Sequence, residues 1–431
     1  MSAVIGILNK HAIALAADSA VTISREDDQK IFNTANKIFT LSKYHPIGVM
    51  IYDSSNFMNT PWEILIKVYR EQLGKNSFPT VEEYYEDFLQ FLDSKEYYLS
   101  EEEEKEIIKG FFNKCLGEII DSALGNYELP EPEQVDQDDR DEIKDILEAE
   151  LDRRIDSFSD DNICLEFEDY TQRAFSVYTN DLFEAELNRY FSGYNFTFSD
   201  NYKRKIRKYL YQQVISKDFK GYYTSGLVFV GYGDEQIYPK LIPLKISFAV
   251  DGKLRFYVEE EMITKISNTS HNAAIRPFAQ TDVINTILTG VAPDLQTIMA
   301  RNFDNYLEKY NNLLVDKLED VDPDIAEVVD GIDLSKISEE YRKTNSKIQN
   351  LSHIRPLMKA VSSLSKEDLA EMAESLIYLT YLKRRFTFDE ESVGGPVDVA
   401  LITKGDGFIW MKRKHYFDPE LNHQFFKTYL K

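Results

Sequence analysis

The sequence predicts an α+β protein, with two mainly antiparallel sheets flanked by helices and interrupted by large helical insertions. Three observations carry this. β-Forming runs come in pairs near the start, the middle and the end of the chain. Between them, long segments repeat apolar residues every three or four positions, the period of an amphipathic helix. Strand groups so far apart in sequence must meet in space to bury their apolar faces, which makes one interrupted domain and not a string of separate ones.

The elements follow in order. Residues 2–9, SAVIGILN, and 12–17, AIALAA, read as a buried hairpin turning at Lys10-His11. Residues 37–42, KIFTLS, and 47–52, IGVMIY, form a second strand pair around Tyr44-His45-Pro46. From about residue 60 the period becomes helical, in WEILIKVYREQL, VEEYYEDFLQFLD and EEKEIIKGFFNKCLGEIIDSAL. Residues 127–161 hold 15 acidic side chains against 4 basic ones, which reads as a solvated helical segment, with an acidic docking segment as the functional alternative. The cluster KRKIRK at 203–208 has the opposite sign and reads as a helix face that balances the acidic stretch.

Strands return at 225–232 and 241–250, followed by an Asp251-Gly252 turn and LRFYV. A helix is expected at 280–290, and residues 300–350 read as polar and helical with breaks at Pro323 and Gly331. Ser365 is an N-cap for KEDLAEMAESLIYLTYL. The chain closes with VDVALITK, a turn at Gly405-Asp406-Gly407 and FIWMKRK, a C-terminal hairpin.

Composition narrows the function. With 43% hydrophobic and 29% charged residues, the chain suits a folded globular protein, and 27 Tyr and 27 Phe can fill a sizeable core. A net charge of −24 repels phosphates, which excludes general nucleic-acid and anionic-membrane binding. No apolar run is long enough to span a bilayer, and the opening stretch, broken by Asn9, Lys10 and His11, does not read as a secretion signal. Cys115 and Cys164 cannot make a disulfide framework and fit a reducing cytoplasm. HExxH, Walker A, CxxC and GxSxG motifs are missing, and the six histidines are scattered. Gly231-x-Gly233 lacks a third glycine, so neither cofactor nor metal is expected.

The segment SAVIGILNKHAIALAADSAVT, residues 2–22, resembles the mature N-terminus of proteasome β-type subunits, which are N-terminal-nucleophile hydrolases. Ser2 stands at the first position, where that family has Thr and related families Ser or Cys. Ala16-Ala17-Asp18-Ser19 matches the family's Ala-Ala-Asp-Ser run, and Lys37 in NKIFTL matches its lysine after a short insertion. GLVFVGYGDEQIYPKLIPLKISFAVDGKLR resembles the central hairpin. The helix from Ser365 and DEESVGGPVDVALITKGDG resemble the last helix, the Asp-x-x-Ser-Gly-Gly segment and the final hairpin. Asp389 and Ser392 fall on the Asp and Ser of that pattern, with Val393 extra before Gly394-Gly395.

The resemblance implies a four-layer αββα sandwich made of residues 1–57, 222–295 and 365–431, with an acidic helical insertion at 58–221 and a second helical insertion at 296–364. It also implies a peptidase or amidase. Removal of Met1 would free Ser2, whose hydroxyl attacks while its own α-amine, with a reference pKa of about 7.7–8.0, takes the proton. Lys37 would stabilise charge beside Ser2, Asp18 would orient Lys37, and Asp389 and Ser392 would hold the amine. Backbone N–H groups near Tyr52 and Asp53 would form the oxyanion hole. Ser19 and Ser270 are further candidates, Ser270 because Ser267-Asn268-Thr269-Ser270-His271 stands where the family has Gly-Ser-Gly. Ile51-Tyr52-Asp53-Ser54 also replaces family glycines, which motivates the alternative of an inactive scaffold or regulatory interaction protein. The expected partners are a peptide or protein substrate, and a second copy or partner protein docked through the helical insertions.

Overall fold

The computed structural model describes residues 3–25, 28–94, 101–125, 137–191, 198–219, 223–269, 272–387, 393–415 and 417–424. The chain opens with β1 (Ala3–Asn9) and β2 (Ile13–Ala17), a small ribbon of β3 (Val21–Arg25) and β4 (Asp28–Phe32), then β5 (Ile38–Thr40) and β6 (Ile47–Asp53). Two short pieces, β7 (Asn56–Phe57) and β8 (Thr60–Pro61), lead into α1 (Trp62–Leu73) and α2 (Val81–Asp93). Then come α3 (Glu101–Leu124), α4 (Gln137–Asp156), α5 (Gln172–Tyr178), α6 (Asn180–Tyr190) and α7 (Asp200–Ile215). Strands resume as β9 (Ser225–Gly231), β10 (Lys240–Val250), β11 (Lys253–Val258), β12 (Thr264–Lys265) and β13 (Ala273–Ala279). After α8 (Asp282–Thr289) lie α9 (Pro293–Glu319), α10 (Pro323–Asp330), α11 (Ser335–Gln349) and α12 (Arg355–Val361). The last helix, α13 (Lys366–Phe386), precedes the hairpin of β14 (Asp398–Thr403) and β15 (Gly407–Lys412).

The protein is α+β with antiparallel sheets. One sheet has the order β13-β1-β2-β14-β15. The other runs β11-β10-β9-β6-β5, with β12 also paired to β10. Alternation along each strand sorts its side chains between two faces. In the first sheet Val4, Leu8, Ile13 and Leu15 join Met50, Tyr52, Val228 and Val230 of the second in one apolar cluster. On the far side Ala3, Ile5, Ile7, Ala14 and Ala16 pack against Leu369, Ala373, Leu376 and Ile377 of α13. The opposite face of the second sheet, with Val49, Ile51, Leu227, Phe229 and Leu244, meets Trp62, Tyr84, Phe88 and Phe112 of the early helices. That cluster continues without a break to Leu147 of α4 and Tyr209 of α7, so these helices share the sheet's core.

Local signals explain the helix limits. Ser365 caps α13 in a reciprocal capping box with Asp368. Pro323 sits in the first turn of α10 behind the N-cap Asp322, and Gly331 closes it. In α7 the basic run faces the acidic helices. Lys205 Nζ lies 2.7 Å from both Glu148 and Asp152, and Lys203 and Arg207 reach Glu184 at 2.8 and 3.2 Å. Among the described residues, no helix is long and apolar enough to cross a membrane.

Candidate functional site

Asp18 leaves the end of β2 directly beneath the start of β1. Ala17 pairs with Val4 on one side and with Asp398 on the other, so Asp18 emerges where β1, β2 and β14 all begin or end. Its carboxylate is almost completely buried and fully employed. Oδ1 accepts the Ala3 N–H at 2.9 Å and the Lys37 ammonium at 2.6 Å. Oδ2 accepts the N–H groups of Ala20 at 3.1 Å and Gly394 at 3.2 Å.

Lys37 stands just before β5, where its carbonyl accepts the Ile51 N–H at 2.8 Å. Its side chain is 3% exposed, and besides Asp18 it donates to the Ala20 carbonyl at 2.6 Å. Burial pulls the Lys37 ammonium below the ordinary lysine range, and the Asp18 carboxylate opposes that shift. The Lys414 cation adds to the depression. Lys414 itself pairs with Asp398, a buried carboxylate that also accepts the Lys414 N–H at 2.8 Å. This second acid–base pair was not singled out by sequence reasoning. Its signal was present as an acidic residue opening the otherwise apolar run VDVALITK.

Ser19 is committed to structure. Its N–H donates to the Gly394 carbonyl at 3.0 Å and its hydroxyl to the Pro396 carbonyl. Gly395 sits in this crossing at φ 77°, and a Cβ there would lie 2.8 Å from Asn33 Cβ, so only glycine lets the loop close over Ser19.

Tyr52 and Asp53 end β6. The Tyr52 side chain points into the layer between the sheets, with its ring 5.4 Å from that of Phe278. Its hydroxyl donates to Glu259 at 3.0 Å, and Lys245 Nζ lies 4.2 Å from its ring centre. Burial, reinforced by Glu259, holds the phenol protonated well above its usual range. The ring lies over Gly226, where a Cβ would fall 2.0 Å from Tyr52 Cζ. Asp53 is exposed, has φ 66°, and pairs with Lys245 at 2.7 Å.

Thus Asp18, Lys37 and Ser19 come together around the 394–396 loop, and Tyr52 follows one residue after the Lys37-bonded Ile51. Ser2, Ser270, Asp389 and Ser392 lie outside the described residues. Among the described residues, no group of His, Cys, Asp and Glu is arranged to hold a metal ion.

Fold and site together define an α+β protein with a buried carboxylate–ammonium pair at the mouth of two antiparallel sheets. No protein-family model matches the sequence, and no curated protein matches it. Among solved structures the chain is similar to the Anbu (Gly-1) mutant from Hyphomicrobium sp. strain MC1. That match has 8% sequence identity, covers 100% of this chain and 95% of the other, and has a TM-score of 0.25.

Proposed function

We propose that the chain is an N-terminal-nucleophile amide hydrolase, a peptidase that uses Ser2 once Met1 is removed. In this reading the two facing sheets and their outer helices are a four-layer αββα sandwich built from residues 1–57, 222–295 and 365–431, carrying helical insertions. The observation that supports it best is the sharing of Asp18 Oδ1. The peptide nitrogen of Ala3, which is bonded to residue 2, and the Lys37 ammonium donate to the same oxygen. The start of β1 is therefore tied to the same oxygen that holds a positive charge in a dry site.

The proposed chemistry follows from that placement. Ser2 Oγ attacks the substrate carbonyl carbon, and its proton passes to the Ser2 α-amine. The carbonyl π electrons move to oxygen, where backbone N–H groups of Tyr52 and Asp53 receive the negative charge. Collapse breaks the C–N bond, and the α-ammonium returns the proton to the departing amine. Water then attacks the Ser2 ester and gives its proton to the α-amine; the acid leaves as Ser2 Oγ is restored. Asp389 and Ser392 hold the amine in orientation, with Ser270 as a substitute donor. The Lys37 cation favours the anionic form of the attacking oxygen and keeps the α-amine neutral, ready to take its proton, and burial limits how firmly Lys37 holds that charge.

A second reading rests on Tyr52. Its ring fills the inter-sheet layer next to Phe278, whose strand partner is Val4, and that bulk supports an inactive scaffold. Labelling with an amide-directed acylating probe, read by intact mass, decides between the readings. The hydrolase reading expects loss of Met1, one adduct on the wild type and none on Ser2→Ala. It also expects Lys37→Met to acylate slower by on the order of 100-fold or more. Retained Met1 without an adduct selects the scaffold.

A further inference from the structure

Helix α9 cannot bury its own apolar side chains. It has 27 residues, and Asn311 is its buried position. One side rests on α11, where Asp304 pairs with Arg342 and the Phe303 ring stacks 4.0 Å from that of Tyr341. On the side away from Asp304, Leu295, Met299, Tyr306, Tyr310 and Leu313 fall within about 60° of arc at 100° per residue. These five are 50, 47, 71, 63 and 55% exposed, a stripe running most of the helix length.

Two features say what covers it. Tyr306 lies midway between Met299 and Leu313, seven residues from each, so an antiparallel copy crossing at Tyr306 sets Met299 against Leu313. That is the self-complementary pattern a two-fold interface requires. Acidic residues are also missing from the stripe: Asp294, Asp304, Glu308, Asp316 and Glu319 of α9 all project at least about 60° outside it. In a chain of net charge −24, this is a face on which two copies approach without opposing carboxylates. The exposed apolar area comes to roughly 600 Å² per copy, or about 1,200 Å² for the pair, the lower bound for a stable specific interface.

We propose that this face of α9 is the contact between two copies of the chain, packed as an antiparallel helix pair about an axis through Tyr306. The contact does not rest on the hydrolase reading. Sedimentation velocity on the full chain, from about 1 to about 100 µM, tests it. The expected result is a concentration-dependent dimer that Tyr306→Asp and Leu313→Asp each convert to monomer, with circular dichroism unchanged because both positions are exposed. A residue on the axis meets its own copy, so Tyr306→Cys should form a disulfide-linked dimer on mild oxidation. Val177→Cys, an equally exposed control on α5, should not, and the native Cys115 and Cys164 are buried. A monomer throughout the range, a dimer indifferent to both aspartates, or equal cross-linking of the two cysteine variants overturns the proposal.

Discussion

Asp18 and Lys37 are unequal partners. The carboxylate serves three backbone N–H groups as well as the ammonium, whereas Lys37 has Asp18 and one carbonyl. Asp18→Ala leaves a buried ammonium facing an apolar wall and orphans three donors, so its expected cost is about 3–5 kcal/mol. Lys37→Met removes a charge but leaves the carboxylate hydrogen-bonded, and its expected cost is about 1–2 kcal/mol. Urea unfolding at neutral pH measures both; equal losses would show that the ammonium, not the hydrogen-bond hub, sets the stability here. The pair also has a pH signature. Folded Lys37 releases its proton at lower pH than unfolded Lys37, so the unfolded chain binds more protons between the folded value and about 10.4. Across that window the wild type gains stability relative to Lys37→Met as pH rises, and below it the two run parallel. Alkaline denaturant titrations of both proteins give the difference, and a difference falling with pH would reverse the sign assigned to burial.

At the scale of elements, what was legible depended on whether local sequence carried the signal. The hairpin from Ala3 to Ala17 joins two small, apolar, fully buried runs through a polar turn, and the Ser365 cap is written in the residues that bond. Strand β13 was not read, because Pro277 interrupts it and a polar run precedes it. Proline survives there because β13 is the edge of its sheet, where no second neighbour needs the N–H that proline lacks. The β3–β4 ribbon, inserted between Asp18 and Lys37, was likewise missed; its register rests on pairing with a partner strand and not on an apolar period. Asp18 and Lys37 were reached by resemblance, while the Asp398–Lys414 pair needed the sheet order to become visible. Arg255 shows the same limit. It reads as one polar residue in LRFYV, yet it is buried and donates to the carbonyls of Gln213, Val214, Ser216 and Asp218. Its guanidinium lies 4.0 Å from the Phe219 ring centre, and burial pushes its pKa down to about 10. It therefore ties the end of α7 to β11. Arg255→Leu should cost about 3 kcal/mol or more by stranding those carbonyls, and hydrogen exchange should localise the loss to the last turn of α7. A loss spread evenly over the second sheet would assign Arg255 to packing instead.

Across the whole molecule the dominant long-range term is the excess of 74 acidic over 50 basic side chains. Local pairing offsets only part of it, and the arrangement is uneven. The basic face of α7 is spent on Glu148, Asp152 and Glu184 of neighbouring helices, so the cluster expected to balance the acidic stretch does so within the chain. Salt acts on these two terms in opposite directions. It screens the attraction at Lys205, but also the repulsion among distant carboxylates, and the Debye length shrinks from about 30 Å to about 8 Å between 10 and 150 mM. Short-range pairs at 2.7 Å survive that change better than repulsions across the molecule, so the repulsive term loses more. The thermal midpoint of the wild type should therefore rise with added salt. Lys205→Glu removes both contacts and adds a further negative charge among the acidic helices, so it should lower the midpoint by a few degrees at low salt and by less at 150 mM. Scanning calorimetry at two salt concentrations reads both effects. If the midpoint of the wild type falls with salt instead, attraction between paired side chains outweighs the net charge, and the acidic helices are held by their lysines more than they are strained by one another.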